Sequence, residues 1–382
     1  MTIEKLVVVW GNQIGMPHKR TNSNNMDAYS VERSRGVVIS GIADGSGGTG
    51  EHSETYAKIM IHWLTLRARV LVEGLGSQYN GVESIKNVSS ILWDDYQRNL
   101  NKLLNIAFDG IPNEVVQEIL TQEDNRNRKL KYVDEFMLHT AVLLIVILNE
   151  KTGRWDAYLL YKGDGFVVRN DEVMNFDNII KPKHTGVMYP ALGLNVYQGI
   201  LRAENEATAR AGFELVTLGS SGEKWSRLAI ASDGLRFVMP DMYNEIIFPL
   251  VNFDLDQAEQ DKSIGTAMYW AIKDRRFSPD DDLAIVSVMT QSYIDGVYRS
   301  IQEAMERQAE EQRLASMPKV SSEPNASISN ITPRIAITGL NPNDDIPLGI
   351  NVEYPDQAPT ELDLPPVTTD DQASNEGTNN DG

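Results

Sequence analysis

IADGSGGTG, residues 42–50, follows a β-branched run, GVVIS (36–40), and precedes a helix-like run, SETYAKIMIHWL (53–64). Taken as letters, Gly45 to Gly50 satisfy G-x-G-x-x-G, the phosphate-cradling turn of dinucleotide-binding folds. That fingerprint also needs a strand bearing an acidic residue ~20 positions later. Here the helix-like run leads instead into a loop and more helix. Asp44 stands directly before the first glycine, where it would face a dianionic phosphate. At ~4 Å two like charges cost about 4 kcal/mol at an effective dielectric of 20. The stretch therefore reads as a strand ending in a carboxylate, a natural ligand for a hard cation, and such cations take several oxygen ligands from separate rigid elements.

Companions are present. Asp27 opens a hairpin in NNMDAY, Asp164 lies in YKGDGF, Asp233 in IASDGL, and Asp280, Asp281 and Asp282 in SPDDDLAIV. Each touches an apolar β run. One Asp-Gly at a strand end is ordinarily a turn. Several, each on its own strand, are what a sheet-mounted dimetal site requires.

The segment KLVVVW (5–10) reads as a buried strand, and DAYSVERS (27–34) with GVVISGIAD (36–44) as a hairpin. Helical spacing of Tyr56, Ile59, Met60, Trp63, Leu64 and Arg67 predicts a helix over 53–72, with Ser53 as its N-cap. Residues 73–90 read as a loop and about 91–121 as helix. EFMLHTAVLLIVILN (135–149) and RWDAYLLYKGDGFVVRND (154–171) read as two long strands around an Glu-Lys-Thr-Gly turn. Further strands are expected at FELVTL (213–218), WSRLAIASDGL (225–235) and DDLAIVSVM (281–289), with a helix over 256–276. Many hairpin-linked strands without regular βαβ alternation suggest an α+β or layered antiparallel fold. YIDGVYRSIQEAMERQAEEQR (293–313) reads as an amphipathic helix, either a lid on the domain or a partner-binding element. Beyond Met317 the composition turns to Ser, Asn, Pro, Asp and Thr, an acidic disordered tail.

The formal charge is −19, and residues 321–382 hold eleven acids against one arginine. That balance argues against nucleic-acid binding, which needs basic surface, and suits a site that holds cations. There is no cysteine, which excludes disulfides and thiolate zinc sites. No run approaches the ~18 apolar residues of a membrane span, and no signal peptide is evident, so a cytoplasmic protein is expected.

In their order these motifs resemble the PPM-type (type 2C), metal-dependent serine/threonine protein phosphatases, bacterial-like branch. The likeness runs through MPHKRTNSNNMDAY (16–29), ADGSGG (43–48), LHTAVLLIVIL (138–148), YKGDGFVV (161–168), ASDGL (231–235) and DDLAIVSV (281–288). It covers about residues 5–290. The resemblance implies a layered α-β-β-α sandwich of two mainly antiparallel sheets flanked by helices. The phosphatase domain would span 1–291 with a helical insertion at about 73–134, followed by the helix 292–316 and the tail 317–382. Asp44 would bridge two Mn²⁺ or Mg²⁺ ions, the Gly45 carbonyl would bind one, and Asp233 and Asp281 would complete the other. Asp164 matches the position used for a third ion, and Asp27 the aspartate near the metals. Asp280 and Asp282 are expected to be solvated or capping. The implied reaction is hydrolysis of phosphoserine or phosphothreonine by a dimetal-bridging hydroxide, with no protein nucleophile. Its partner would be a phosphorylated protein; a further partner protein would use the 293–313 helix or the tail.

Three positions depart from the family pattern. Met26 stands where many members have an acid or amide, Asn22 where an arginine is common, and Ser46 where some have histidine. His18, Lys19 and Arg20 are then the phosphate-binding candidates. The alternative is a catalytically weak or inactive member used as a binding or regulatory module. His62 and His139 are expected to be structural, and Trp63, Trp155, Trp225 and Trp270 to serve the core.

Overall fold

The computed structural model describes residues 3–21, 25–45, 52–121, 136–137, 139–175, 195–196, 199–200, 212–220, 224–238, 243–249, 263–278 and 280–316. Asn22, Ser46 and the tail lie outside them. The chain divides into two units, Met1–Met317 and Pro318–Gly382, and every described residue lies in the first.

Its strands are β1 (Leu6–Gln13), β2 (Ala28–Ser34), β3 (Val37–Ala43), β4 (Ala141–Asn149), β5 (Arg154–Lys162), β6 (Phe166–Arg169), β7 (Glu172–Asn175), β8 (Asn195–Val196), β9 (Gly199–Ile200), β10 (Glu214–Gly219), β11 (Arg227–Ala231) and β12 (Leu283–Thr290). Its helices are α1 (Met16–Thr21), α2 (Ser53–Glu73), α3 (Val82–Asp109), α4 (Asn113–Thr121), α5 (Tyr243–Ile247), α6 (Ser263–Lys273) and α7 (Gln291–Ser316). Two five-stranded sheets carry the fold, in the orders β1-β12-β11-β6-β7 and β10-β5-β4-β3-β2, with every paired neighbour antiparallel. This is the layered α+β sandwich expected.

Side-chain alternation explains why these strands read as unbroken apolar runs. Along β4, Val142, Leu144 and Val146 face the other sheet, meeting Val286 and Val288 of β12 and Ile230 of β11. The intervening Leu143, Ile145 and Ile147 face α2 and α3, against Met60, Leu64, Leu92 and Leu104. On the far side, Leu283 and Ile285 of β12 pack on Ile264 and Met268 of α6. Each strand thus has one face between the sheets and one under helices, so both parities are apolar.

Several expectations are corrected. The stretch 154–171 is two strands, not one: β5 ends at Lys162 and β6, in the other sheet, begins at Phe166. Gly163 and Gly165, at φ +116° and +134°, make the break. Gly163 also lies against Thr140, whose Cβ is 2.6 Å from where a Gly163 Cβ would stand, so no other residue fits this turn. Helix α3 begins at Val82, inside the expected loop. The N-cap of α2 is His52, not Ser53. Trp270 is an exposed residue on α6, stacked edge-on with Tyr269. On α7, Ile294 is buried while Tyr298, Ile301 and Met305 are exposed, so beyond its first turn the described helix is not a packed lid. No helix among the described residues is long and apolar enough to cross a membrane.

Candidate functional site

Sheet register gathers the acids. Ala28 pairs with Ala43, so one further step sets Asp27 opposite Asp44. Ile42 pairs with Val142, which sets Asp44 opposite Thr140 two steps on. In the other sheet Ala231 pairs with Phe166, so that Asp233 and Asp164 lie just past the paired ends of β11 and β6. The acids share one end of the two sheets because the strands bearing them end there.

The backbone of Asp44 is held on both sides. Its N–H donates to Thr140 Oγ1 at 3.0 Å, and its carbonyl accepts the Thr140 N–H at 2.8 Å. Gly45 bridges His139, a buried imidazole stacked on Tyr56 at 5.8 Å. His139 Nε2 lies 3.0 Å from the Phe136 carbonyl. His139 is thus structural, as expected, and its place is under the Asp44 turn.

Asp27 is buried, and its Oδ2 accepts the Ser232 hydroxyl at 2.5 Å. Ser232 Oγ in turn accepts the Ala284 N–H at 2.9 Å. One serine therefore ties β11, β12 and the start of β2 together. Asp233 follows it in a 3-10 turn, Asp233–Phe237, and its N–H approaches Asp44 Oδ2 at 3.3 Å. The next residue, Gly234, lies on the neighbouring chain: a Cβ there would stand 2.0 Å from the Asp282 carbonyl oxygen. Here the Asp-Gly pair is a requirement of close approach as well as a turn. Gly234→Ala must push two backbones apart, and a loss of about 2 kcal/mol is expected in chemical denaturation. An unchanged midpoint would show that the contact is not tight.

Asp282 corrects the reading of the acidic triplet, since it is not solvated. It is 2% exposed and accepts the N–H groups of Gly15 and Met26, each at 2.6 Å. His18 Nδ1 lies 2.9 Å from its Oδ2. It thereby pins Gly15 and Met26, on either side of α1, the short helix that carries His18, Lys19 and Arg20. His18 turns inward to it; Lys19 and Arg20 are exposed. Met26, buried, adds its backbone N–H and no side-chain oxygen. Asp281, beside it, is 40% exposed and faces Arg236.

The electrostatics follow from this crowding. Burial, then Asp27, Asp233 and Asp164 in that order, push the Asp44 carboxyl well above the usual range. Burial and Asp282 do the same to Asp27, with Asp233 and Asp281 adding to it, against the Ser232 hydrogen bond. Burial raises Asp233, opposed by the Arg236 guanidinium. That guanidinium pairs with Asp233 and lies 3.3 Å from Asp281. Among the described residues no three His, Asp or Glu converge closely enough to hold an ion. The donors nevertheless suit a hard divalent cation: oxygen ligands from separate strands, mutually repelled, with an arginine already standing in as the positive charge.

Sequence reasoning missed Thr140, Ser232, Asp282 and Arg236. Parity identifies Asp282, which shares the face of Ala284 and Val286 and so points between the sheets. Helical spacing identifies Arg236, three residues after Asp233. Thr140 and Ser232 carry only the weak signal of a hydroxyl next to a strand end.

No protein-family model matches the sequence, and no curated protein matches it. Solved structures do. The phosphatase domain of the cell fate determinant SpoIIE from Bacillus subtilis is 14% identical, covering 85% of this chain and 99% of that one, at a TM-score of 0.33. The S. agalactiae serine/threonine phosphatase is 13% identical over 75% of this chain and 100% of its own, at 0.36. RsbX, solved in complex with magnesium, is 12% identical over 75% of this chain and 96% of its own, at 0.32. The chain is thus similar in fold to these solved bacterial phosphatases.

Proposed function

We propose that the chain is a Mn²⁺- or Mg²⁺-dependent phosphatase acting on phosphoserine or phosphothreonine in proteins. The observation that carries the reading is the placement of Asp27, Asp44, Asp164, Asp233 and Asp281, from five separate turns, at one end of both sheets, where burial and neighbouring carboxylates raise the pKa of Asp27, Asp44 and Asp233. Such a cluster is costly unless cations fill it. The ordered motifs that resemble the PPM-type phosphatases supply the substrate class.

Asp44 would lie between two ions, with the Gly45 carbonyl on one and Asp233 and Asp281 on the other. Asp164 would serve a third, and Asp27 would stand behind them. Divalent cations bound there would supply a water acidic enough to attack phosphorus near neutral pH and would neutralise the phosphoryl oxygens. The chain's own residues do the rest. Thr140 and the His139 bridge hold the Asp44–Gly45 turn in place, and Ser232 fixes Asp27. Asp282 ties the segment bearing α1 beside the acids, so that Lys19 and Arg20 offer exposed positive charge to an incoming phosphoryl group.

Full-length protein with a phosphoserine peptide and MnCl₂ tests the reading. Phosphate release that stops in chelator and in Asp233→Asn supports it; release indifferent to both contradicts it. A second reading, a phosphatase-like fold used as a binding module, is favoured by Met26, which lends the site no side-chain oxygen. Calorimetry separates them: cation binding without turnover supports the module, and turnover ends it.

A further inference from the structure

The acid cluster contains its own cation. Arg236 sits one helical step after Asp233, and a spacing of three places its side chain over that carboxylate. Its Nη2 pairs with Asp233 Oδ2 and lies 3.3 Å from Asp281 Oδ2. One guanidinium nitrogen thus serves two carboxylates from different elements, the turn after β11 and the turn before β12. The side chain is 52% exposed, and its Cζ stands 5.2 Å from the ring centroid of the adjacent Phe237. A guanidinium is a permanent cation, and here that charge lies against both carboxylates. Its exposure also means that leaving the two carboxylates returns it directly to water.

We propose that Arg236 is an internal counter-cation. It holds Asp233 and Asp281 together in the metal-free chain, a divalent cation must displace it, and it thereby sets the cation concentration at which the site loads. This rests on the reading of Asp233 and Asp281 as metal ligands. The exchange is between like charges: a divalent ion gathers both carboxylates more strongly than one shared guanidinium, but only after that pairing is given up. Loading is consequently weaker than the carboxylates alone would allow, and the empty site is more stable than four or five unbalanced acids would be.

The test is calorimetric titration of the full-length chain with MnCl₂, comparing wild type, Arg236→Gln and Arg236→Lys, with thermal midpoints measured in chelator. Arg236→Gln is expected to bind Mn²⁺ about tenfold more tightly, ~1.4 kcal/mol, and to melt at a lower temperature than wild type without metal. Arg236→Lys, which keeps the charge but not the planar fork, should fall between them. Equal or weaker Mn²⁺ binding by Arg236→Gln overturns the inference and leaves the phosphatase reading standing, and so does an unchanged or raised metal-free midpoint. Absence of Mn²⁺ binding in wild type overturns the phosphatase reading and this inference with it. Circular dichroism checks folding; should Arg236→Gln not fold, the Arg236→Lys comparison decides by the same signs.

Discussion

Asp44→Asn is expected to lower Mn²⁺-dependent hydrolysis of an aryl phosphate by on the order of 1000-fold, ~4 kcal/mol of transition-state stabilisation, while making the metal-free chain more stable at neutral pH. The two effects have opposite signs because one carboxylate serves both. For catalysis, Asp44 is the proposed ligand shared between ions, and an amide oxygen is a poor substitute for a charged one. For stability, burial, then Asp27, Asp233 and Asp164, lift its pKa. A carboxyl whose folded-state pKa is raised binds its proton more tightly folded than unfolded. Its favourable contribution is complete below the ordinary aspartate value of about 3.9 and is lost as pH rises through the raised value. In chelator, wild type should therefore lose stability as pH rises above that ordinary value, through Asp44, Asp27 and Asp233 together, read at one acidic and one neutral pH. Asp44→Asn removes one charge from the set and should flatten that slope. Thermal midpoints at both pH values check it; a variant less stable than wild type at the higher pH, with an equally steep slope, would contradict it.

Asp282→Ala carries the largest expected loss of stability, about 3 kcal/mol. The carboxylate accepts two backbone N–H groups and contacts His18, all in a buried setting. Alanine leaves the Gly15 and Met26 N–H groups without it, and an unsatisfied buried donor costs about 1–3 kcal/mol. The segment bearing α1, with Lys19 and Arg20, loses its anchor as well, so KM for a phosphopeptide should rise more than kcat falls. Asp282→Asn keeps one acceptor oxygen and should lose less. Urea denaturation and steady-state kinetics read both effects. A change within about 0.5 kcal/mol, the range of surface substitutions, would mean that α1 and its flanks are held by other contacts.

Much of this architecture is legible in the sequence because burial on both strand faces makes β3, β4 and β12 predominantly apolar runs, which marks where each strand stops. The acids at those stops, Asp44, Asp164, Asp233 and Asp281, stand out for that reason. The break inside 154–171 was hidden, since the residues on both sides of Gly163-Asp164-Gly165 are equally strand-like and only positive φ at the glycines separates two sheets. The Asp280–Asp282 triplet shows a second limit. Three identical letters have no composition signal among them, and only the parity of β12 distinguishes the inward Asp282 from the exposed Asp281. Exposed apolar residues on α7 show a third: amphipathic spacing reveals a stripe, not whether anything covers it.

Strand-end carboxylates crowded enough to repel one another would form a site that works only when divalent cations fill it. Its most direct test is hydrolysis of an aryl phosphate by the purified full-length chain, stripped with chelator and then titrated with MnCl₂. Turnover absent in chelator and rising to saturation with Mn²⁺ is the predicted result. The same rate with and without chelator would contradict it.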